Sequence, residues 1–259
     1  MISVTRTDVG KLRVNNQDAL IVLEHLYGVA DGMGGHKGGE VASAGARDGL
    51  EKFLKGKTPD PRLLKTAVEA VNRRLYLRQR EEAELSGMGT TLTVLWAGER
   101  EIYLAHVGDS RAYLLREGAF TQVTRDHSLV QELVEQGVLT QEQAAHHPMR
   151  NVITRAVGTD ETVEVDMITR ERCKGDMWLL CSDGLSGMVS DEEMAGILRE
   201  CAPETACCRP TLTTAAGIIF PSSSSRIRRA RNERKNPCRP LPPGGADRHG
   251  RHGHCVPGH

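Results

Sequence analysis

Apolar and polar residues repeat with two different periods along the first two hundred positions, and the period predicts where helices and strands lie. Apolar residues recur every three or four positions in residues 41–55 and 61–85, which is the spacing of one helix face. Asp60 precedes Pro61, so an N-cap acceptor is followed by a residue whose missing N–H is harmless in the first turn. Capping-box pairs that predict three further short helices are Ser128 with Gln131, Thr140 with Gln143, and Ser190 with Glu193.

Shorter apolar or alternating runs predict strands. These runs are residues 2–8, 20–23, 26–30, 90–97, 101–107, 110–116, 119–123, 163–168 and 177–182. Residues 20–23 and 26–30 read as a hairpin whose second strand ends at Asp31, and residues 177–182 end at Asp183. Strands follow strands and helices follow helices, which favours an α+β fold with an antiparallel core over an alternating parallel sheet.

Charge divides the chain into two unlike parts, although the formal net charge is zero over 259 residues. Residues 209–259 hold 10 of the 34 Lys and Arg residues but only 2 of the 34 Asp and Glu residues. Residues 1–208 therefore carry 24 basic against 32 acidic side chains. The final segment also holds 7 of the 11 prolines, a composition typical of disorder. We predict a folded domain over residues 1–207 and a basic, disordered tail over residues 208–259.

Cysteine spacing and hydropathy indicate the redox state of the thiols, the absence of a zinc site and the cellular location to expect. The seven cysteines are odd in number and show no Cys-x-x-Cys pair, so we expect reduced thiols and no zinc site. The sequence has neither an apolar run near ~18 residues nor a charged-then-apolar leader. We therefore expect a cytoplasmic protein with no membrane partner.

Residues 27–43 carry the first candidate chemistry, because they deliver Asp31 from an apolar strand into a glycine-rich loop. Glycines let backbone carbonyls approach a bound ion, and carboxylate with carbonyl oxygen suits a hard divalent cation. A glycine turn with a solvated acid is the alternative for Asp31 taken alone. Asp183 repeats the pattern of strand, Asp and Gly, whereas Asp109 lies between two strands and also fits an ordinary hairpin turn.

Several motifs together resemble one family. They are residues 13–18 (Arg-Val-Asn-Asn-Gln-Asp), 29–36 (Val-Ala-Asp-Gly-Met-Gly-Gly-His), 87–92 (Gly-Met-Gly-Thr-Thr-Leu), 106–111 (His-Val-Gly-Asp-Ser-Arg), 147–158 (His-Pro-Met-Arg-Asn-Val-Ile-Thr-Arg-Ala-Val-Gly) and 179–185 (Leu-Leu-Cys-Ser-Asp-Gly-Leu). In this order they resemble the bacterial form of the metal-dependent serine/threonine protein phosphatases, type 2C. The resemblance implies a four-layer αββα sandwich, in which two antiparallel sheets are flanked by helices and the site lies at one edge.

The resemblance also implies the metal ligands. Asp31 would bridge two manganese or magnesium ions, the Gly32 carbonyl would bind one of them, and Asp183 would hold the other. Asp109 would join Asp183 around a third, weaker ion. Arg13 would hold the phosphate, for which the planar guanidinium is well suited, and Asp18 would orient metal-bound water.

The function that follows is hydrolysis of phosphoserine and phosphothreonine on proteins by a water activated between two metal ions. Implied partners are phosphorylated proteins, including a serine/threonine kinase and its substrates, and we expect a monomer. One alternative is a phosphatase fold that binds phosphoprotein with weak or no turnover. A metal-dependent phosphodiesterase fits the metals but not the ordered motifs.

The C-terminal region departs from the family. Members end in a strand announced by Asp-Asn-x-Thr, whose Asp is a metal ligand, and the matching region here has no Asp-Asn. A one-nucleotide shift along codons for residues 248–255 can give a Val/Thr-rich strand sequence. We therefore predict that a frameshift replaced the native C-terminus and removed the usual last strand.

The remaining basic and imidazole groups give weaker signals. The arginine-rich residues 226–235 contain no aromatic residue for base stacking, so we expect no nucleic-acid partner. His36 stays outside the predicted site. His106, His127, His146 and His147 have no convincing metal-ligand spacing.

Overall fold

The computed structural model describes residues 2–9, 15–35, 37–200 and 216–220. All of them belong to the first of two units of the chain, Met1–Ser223 and Ser224–His259. The strands of the described residues are β1 (Ile2–Arg6), β2 (Asp18–Val22), β3 (Leu26–Met33), β4 (Gly89–Thr90), β5 (Leu92–Ala97), β6 (Glu101–Val107), β7 (Arg111–Arg116), β8 (Ala119–Gln122), β9 (Asp166–Glu171), β10 (Met177–Cys181) and β11 (Ala216–Phe220). The helices are α1 (Gly38–Leu54), α2 (Pro61–Glu81), α3 (Leu129–Glu135), α4 (Gln141–Ala145), α5 (Asp183–Ser186) and α6 (Asp191–Glu200), with a 3₁₀ turn at Ala83–Leu85.

Two antiparallel sheets form the centre of the domain. One sheet has the strand order β1-β11-β10-β7-β8, and the other has the order β2-β3-β5-β6-β9 with β4 paired to β3. Alternation along the strands assigns each side chain to a layer. On β7, Leu114 packs between the sheets with Trp178 and Leu95, while its neighbours Tyr113 and Leu115 face α5 and α6. The α+β prediction of two antiparallel sheets is confirmed.

The helices cover the outer faces of the sheets. Ala46 and Leu50 of α1 and Leu64 and Val68 of α2 are fully buried in one cluster with β2, β3, β5 and β6, for example with Val94. Met194 and Leu198 of α6 pack on the outer face of the other sheet. The order of layers is therefore helices, sheet, sheet and helices, which confirms the sandwich that the resemblance implied.

Several helix ends and strand limits can be compared with prediction. The Asp60 carboxylate accepts from the Leu63 N–H at 2.8 Å, which confirms the predicted N-cap of α2. The predicted helix 61–85 ends at Glu81, and the residues after it form the 3₁₀ turn. The strand predicted at 163–168 begins instead at Asp166, because β9 pairs with β6 along its whole length, from His106↔Asp166 to Glu101↔Glu171.

The C-terminal boundary differs from the prediction. Residues 216–220, which were assigned to a disordered tail, form β11 between β1 and β10. Its sequence, Ala-Gly-Ile-Ile-Phe, is short, apolar and without charge, which is compatible with an inner strand of a sheet. Its backbone groups are paired with strands on both sides. The other residues of the predicted tail, 208–215 and 221–259, lie outside the described residues. Among the described helices, none is long and apolar enough to cross a membrane.

Candidate active site

Strand ends of both sheets meet at one end of the sandwich. Asp18 begins β2 and is paired directly across from Asp31 of β3. In the other sheet, Cys181 at the end of β10 is paired with Arg111 at the start of β7. This register places Asp183, just after β10, next to the turn between β6 and β7 that carries Asp109.

The electrostatics show that the four acids are neighbours. Burial raises the pKa of Asp31 to about 9, with further contributions from the charges of Asp18 and Asp183 and from hydrogen bonds to both. Burial likewise raises the pKa of Asp109 to about 7, helped by the nearby charges of Asp183 and Asp126. The structure therefore brings together all four acids that the sequence singled out. Buried and half-buried carboxylates this close together require protons or a cation between them.

The donor set fits a hard divalent cation, since it consists of carboxylates and backbone carbonyls. Among the described residues, no group of three or more His, Cys, Asp and Glu side chains is already arranged to hold an ion. The acids hydrogen-bond to one another instead, as the contacts of Asp31 with Asp18 and Asp183 indicate. A cation bound here would take the place of the shared protons.

Two glycines form a backbone cradle beside Asp31. A Cβ on Gly32 would overlap the carbonyl oxygen of Gly39 and lie 2.7 Å from the Gln17 carbonyl oxygen. A Cβ on Gly39 would lie 2.7 Å from the Gly32 carbonyl oxygen. The Gly32 N–H donates to the Gln17 carbonyl at 3.0 Å, which ties the end of β3 to the chain before β2. Only glycine permits this close approach of backbone oxygens.

Two threonines hold the Asp31 backbone. The Thr91 N–H donates to the Asp31 carbonyl at 2.8 Å, and the Thr91 hydroxyl accepts from the Asp31 N–H at 2.9 Å. The Thr90 hydroxyl donates to the same carbonyl at 2.9 Å. Thr91 also contacts the Ser110 hydroxyl at 2.8 Å, which links Asp31 to the turn that carries Asp109. The Gly-Met-Gly-Thr-Thr-Leu motif contains both threonines, but its sequence alone does not indicate this role of their hydroxyls.

Ser182 also contributes to the site, although its sequence pattern does not indicate such a role. Its buried hydroxyl donates to Asp18 Oδ2 at 3.1 Å, which joins the end of β10 to the start of β2. Although Ser182 stands at the N-cap position of α5, its side chain makes no cap hydrogen bond. Its proximity to Asp18 spans 164 positions of the sequence, so no local pattern could have revealed it.

Two further residues from the motifs, Arg13 and His36, lie outside the described residues. His106 is fully buried, with Nδ1 2.9 Å from the Thr93 hydroxyl and Nε2 2.8 Å from the Arg125 carbonyl. Burial, then the nearby His127, lowers the pKa of His106 to about 4, so this imidazole is neutral at physiological pH. Through these contacts His106 links β6 to β5 and to the loop that follows β8.

Comparison with known proteins identifies what this arrangement is similar to. The family model described as Protein phosphatase 2C matches residues 12–211. The serine/threonine protein phosphatase PstP of Mycobacterium tuberculosis (strain H37Rv) is 45% identical over 204 residues, covering 78% of this chain and 39% of the relative. This chain thus spans about two fifths of the length of that relative. The serine/threonine phosphatase stp of Listeria monocytogenes (serotype 4b) is 41% identical over 232 residues, covering 85% of this chain and 88% of the relative.

Solved structures agree with these sequence matches. The crystal structure of M. tuberculosis PstP/Ppp superposes with a TM-score of 0.76 at 39% identity, covering 84% of this chain and 96% of that one. The catalytic domain of PstP in complex with two manganese ions superposes with a TM-score of 0.74 at 37% identity, covering 84% of this chain and 95% of that one.

Proposed function

This chain belongs to the protein phosphatase 2C family, and we propose that it hydrolyses phosphoserine and phosphothreonine in proteins with the help of divalent metal ions. The observation that carries the proposal is the meeting of Asp18, Asp31, Asp109 and Asp183 at one end of the sandwich, beside the Gly32–Gly39 cradle. A phosphomonoester dianion repels an attacking oxygen nucleophile. A site that hydrolyses it must therefore neutralise phosphoryl oxygens and supply a nucleophile together.

In this proposal the acids and one carbonyl hold the metals. Asp31, the Gly32 carbonyl and Asp183 would hold two manganese or magnesium ions, and Asp109 would help Asp183 to hold a third. Bound manganese or magnesium would lower the pKa of water and neutralise charge on the phosphate. The two threonines that fix the Asp31 backbone keep its carboxylate in place.

Two residues act on the reactants. Asp18 accepts a hydrogen bond from the attacking water, and Ser182 orients Asp18 by donating to its Oδ2 atom. Arg13 binds two phosphate oxygens through its planar guanidinium, which stabilises the charge that develops on them. The water oxygen forms a new bond to phosphorus and gives up a proton to solvent. The bond from phosphorus to the serine or threonine oxygen breaks, and that oxygen takes up a proton from solvent, so inorganic phosphate and the free hydroxyl are the products.

We propose that the substrates are phosphorylated proteins, including a serine/threonine kinase and the proteins that it modifies. The relatives of this chain are named serine/threonine protein phosphatase and serine/threonine phosphatase, which supports this class of substrate. We further propose that the protein works in the cytoplasm as a monomer.

The proposed activity is tested by hydrolysis of a phosphothreonine peptide with manganese and with EDTA. The wild-type protein should release phosphate only with the metal. Asp31→Asn should lower turnover by at least about 100-fold, because it removes a preorganised charge at the reacting centre. Asp48→Asn, which changes an exposed acid paired with Arg47 on α1, is the matched control and should retain activity. Peptide binding without phosphate release at millimolar manganese would overturn the proposal and favour a phosphoprotein-binding role.

We also propose that a frameshift altered the chain after β11, beyond the folded domain. The sequence basis is the absence of Asp-Asn and the Val/Thr-rich strand obtained by shifting the codons of residues 248–255. Resequencing the locus tests this proposal, and the intact mass of the protein from its native source shows whether this C-terminus is present in it. An intact reading frame that encodes the tail, in a protein with full manganese-dependent activity, would refute the frameshift.

A further inference from the structure

Gly108 precedes Asp109 and is held by one residue through both of its backbone polar groups. The Gly108 N–H donates to His127 Nδ1 at 3.0 Å, and the Gly108 carbonyl accepts from the His127 N–H at 2.8 Å. The φ angle of Gly108 is +107°, and a Cβ there would lie 2.7 Å from Thr91 Cβ. Only glycine fits this turn, so the backbone that leads into Asp109 has little freedom.

The His127 imidazole is itself held in one orientation. Because Nδ1 accepts from Gly108, the proton of the neutral ring lies on Nε2, which faces Asp166 Oδ2 at 3.2 Å. Arg155 Nη1 lies 3.2 Å from Nε2 and donates to Asp166 Oδ1 at 2.8 Å. His127 is only 7% exposed, and burial lowers its pKa against the opposing effect of Asp166. A carboxylate therefore fixes the tautomer that the Gly108 hydrogen bond requires.

The other side of Asp109 is held by β5. The Ser110 carbonyl accepts from the Thr93 hydroxyl at 2.8 Å, and the Ser110 hydroxyl contacts the Thr91 hydroxyl at 2.8 Å. Asp109 thus lies between two fixed neighbours. Its carboxylate remains beside Asp183, although burial and that neighbouring charge oppose its ionisation.

We infer that His127, oriented by Asp166, is a positioning residue that fixes the Gly108–Asp109 backbone and thereby keeps the Asp109 carboxylate at the metal site. The effect on metal binding rests on the proposed function, because it assumes that Asp109 is a ligand. The effect on the backbone does not depend on that function.

Two substitutions of His127 test the contacts of its two ring nitrogens one at a time. In His127→Asn the amide oxygen can take the place of Nδ1 and accept from Gly108. In His127→Gln the amide reaches toward Asp166, where Nε2 was, and the acceptor for Gly108 is lost. Both variants keep the His127 backbone N–H and a polar side chain of similar size, so they are matched controls for each other.

The first measurement follows the Gly108 amide in metal-free, ¹⁵N-labelled protein. We expect its hydrogen exchange to be about tenfold faster in His127→Gln than in wild type, because the local opening free energy falls when the hydrogen bond is lost. His127→Asn should stay within about threefold of wild type. Asp166→Ala, at a partly exposed position on β9, should also accelerate exchange and serves if His127→Gln does not fold.

The second measurement is the manganese concentration that gives half-maximal phosphopeptide hydrolysis. It should rise about tenfold or more in His127→Gln, as for other residues that orient metal ligands, with a smaller change in kcat at saturating manganese. His127→Asn should restore most of the metal affinity. A lower kcat with an unchanged manganese requirement would overturn the link to the metal site.

The two proposals fail in different ways. Unchanged Gly108 exchange in both His127→Gln and Asp166→Ala would overturn the positioning role, whatever the enzyme does. Absence of manganese-dependent hydrolysis by the wild-type protein would overturn the proposed function. The exchange measurement would still decide whether His127 fixes the backbone.

Discussion

Asp31 shows how a residue can be unfavourable for folding and still belong to the site. Its carboxyl group contacts Asp18 and Asp183 and is taken out of water. Without a cation, ionisation there places like charges together in a poorly solvated region. The metal-free domain therefore holds a proton at Asp31 under conditions in which an unfolded chain would release it.

This predicts that the metal-free protein loses stability as pH rises from about 5 to about 8. The folded pKa of Asp31 is raised to about 9 and that of Asp109 to about 7, both above their value of 3.8. The folded state then binds more protons than the unfolded state, so the unfolding free energy falls with increasing pH. Urea denaturation in EDTA at several pH values measures the slope.

Asp31→Asn is the decisive control for this pH dependence. The amide cannot ionise, so the slope should be shallower and the metal-free variant should be more stable than wild type at about pH 8. Saturating manganese should raise the stability of wild type more than that of the variant, because a ligand that binds the folded state stabilises it. Equal slopes in the two proteins would contradict the raised pKa of Asp31.

The sequence indicated the acids of this site but not the residues that hold them. Asp31 and Asp183 could be selected because each ends an apolar strand and precedes glycine or a glycine loop. The sequence around His127 does not indicate a partner for its side chain, because the contact with Gly108 joins two loops that are 19 positions apart. Such contacts depend on which strands become neighbours, and single-residue spacing contains no information about that.

Elements were predicted best where packing and local preference agree. Helix α2 has an N-cap, a proline at its start and a buried apolar face, and its start was predicted correctly. Strand β9 has mostly exposed or half-buried side chains, so its apolar pattern was weak and its limits were set by pairing with β6. Strand β11 was not predicted because its short apolar run lies within a segment whose proline and basic content indicates disorder.

The start of α1 gives a prediction at the scale of one helix. Gly39 lies in α1 with the Gly32 backbone 2.7 Å from its absent Cβ, whereas Gly196 lies in α6 with no atom within 4 Å of that position. Gly39→Ala should destabilise the metal-free protein by about 1–3 kcal/mol, because the added methyl group meets fixed backbone.

Gly196→Ala is the matched control for that substitution. It should stabilise the protein by about 0.5–1 kcal/mol, since alanine is the better helix former and the site is open. Urea denaturation in EDTA measures both changes without a contribution from metal affinity. Stabilisation by both substitutions would show that the cradle between α1 and β3 is looser than the structure indicates.

At the scale of the whole molecule, the two sheets contribute different parts of one site. The sheet with β2 and β3 supplies Asp18 and Asp31, while β10 of the other sheet leads into Asp183. The hydrogen bond from Ser182 to Asp18 joins the two sheets at this end. Changes that disturb how either sheet is assembled should therefore affect the site even when they lie far from its acids.

Strand β11 provides the clearest test of this dependence, because among the described residues it is the strand that joins β1 to β10. Ile218 pairs with Val4 on one side and Leu179 on the other. Ile218→Pro removes a backbone donor inside the sheet and should destabilise the protein by more than about 2 kcal/mol, while Ile218→Val keeps the backbone donor and should destabilise it less.

A chain that stops after Ser223 keeps β11 and should unfold like the 259-residue chain, whereas one that stops after Glu200 should lose cooperative unfolding. Thermal and urea denaturation of these four proteins measures the effect. If the chain that stops after Glu200 unfolds cooperatively and is as stable as the 259-residue chain, the domain does not need β11.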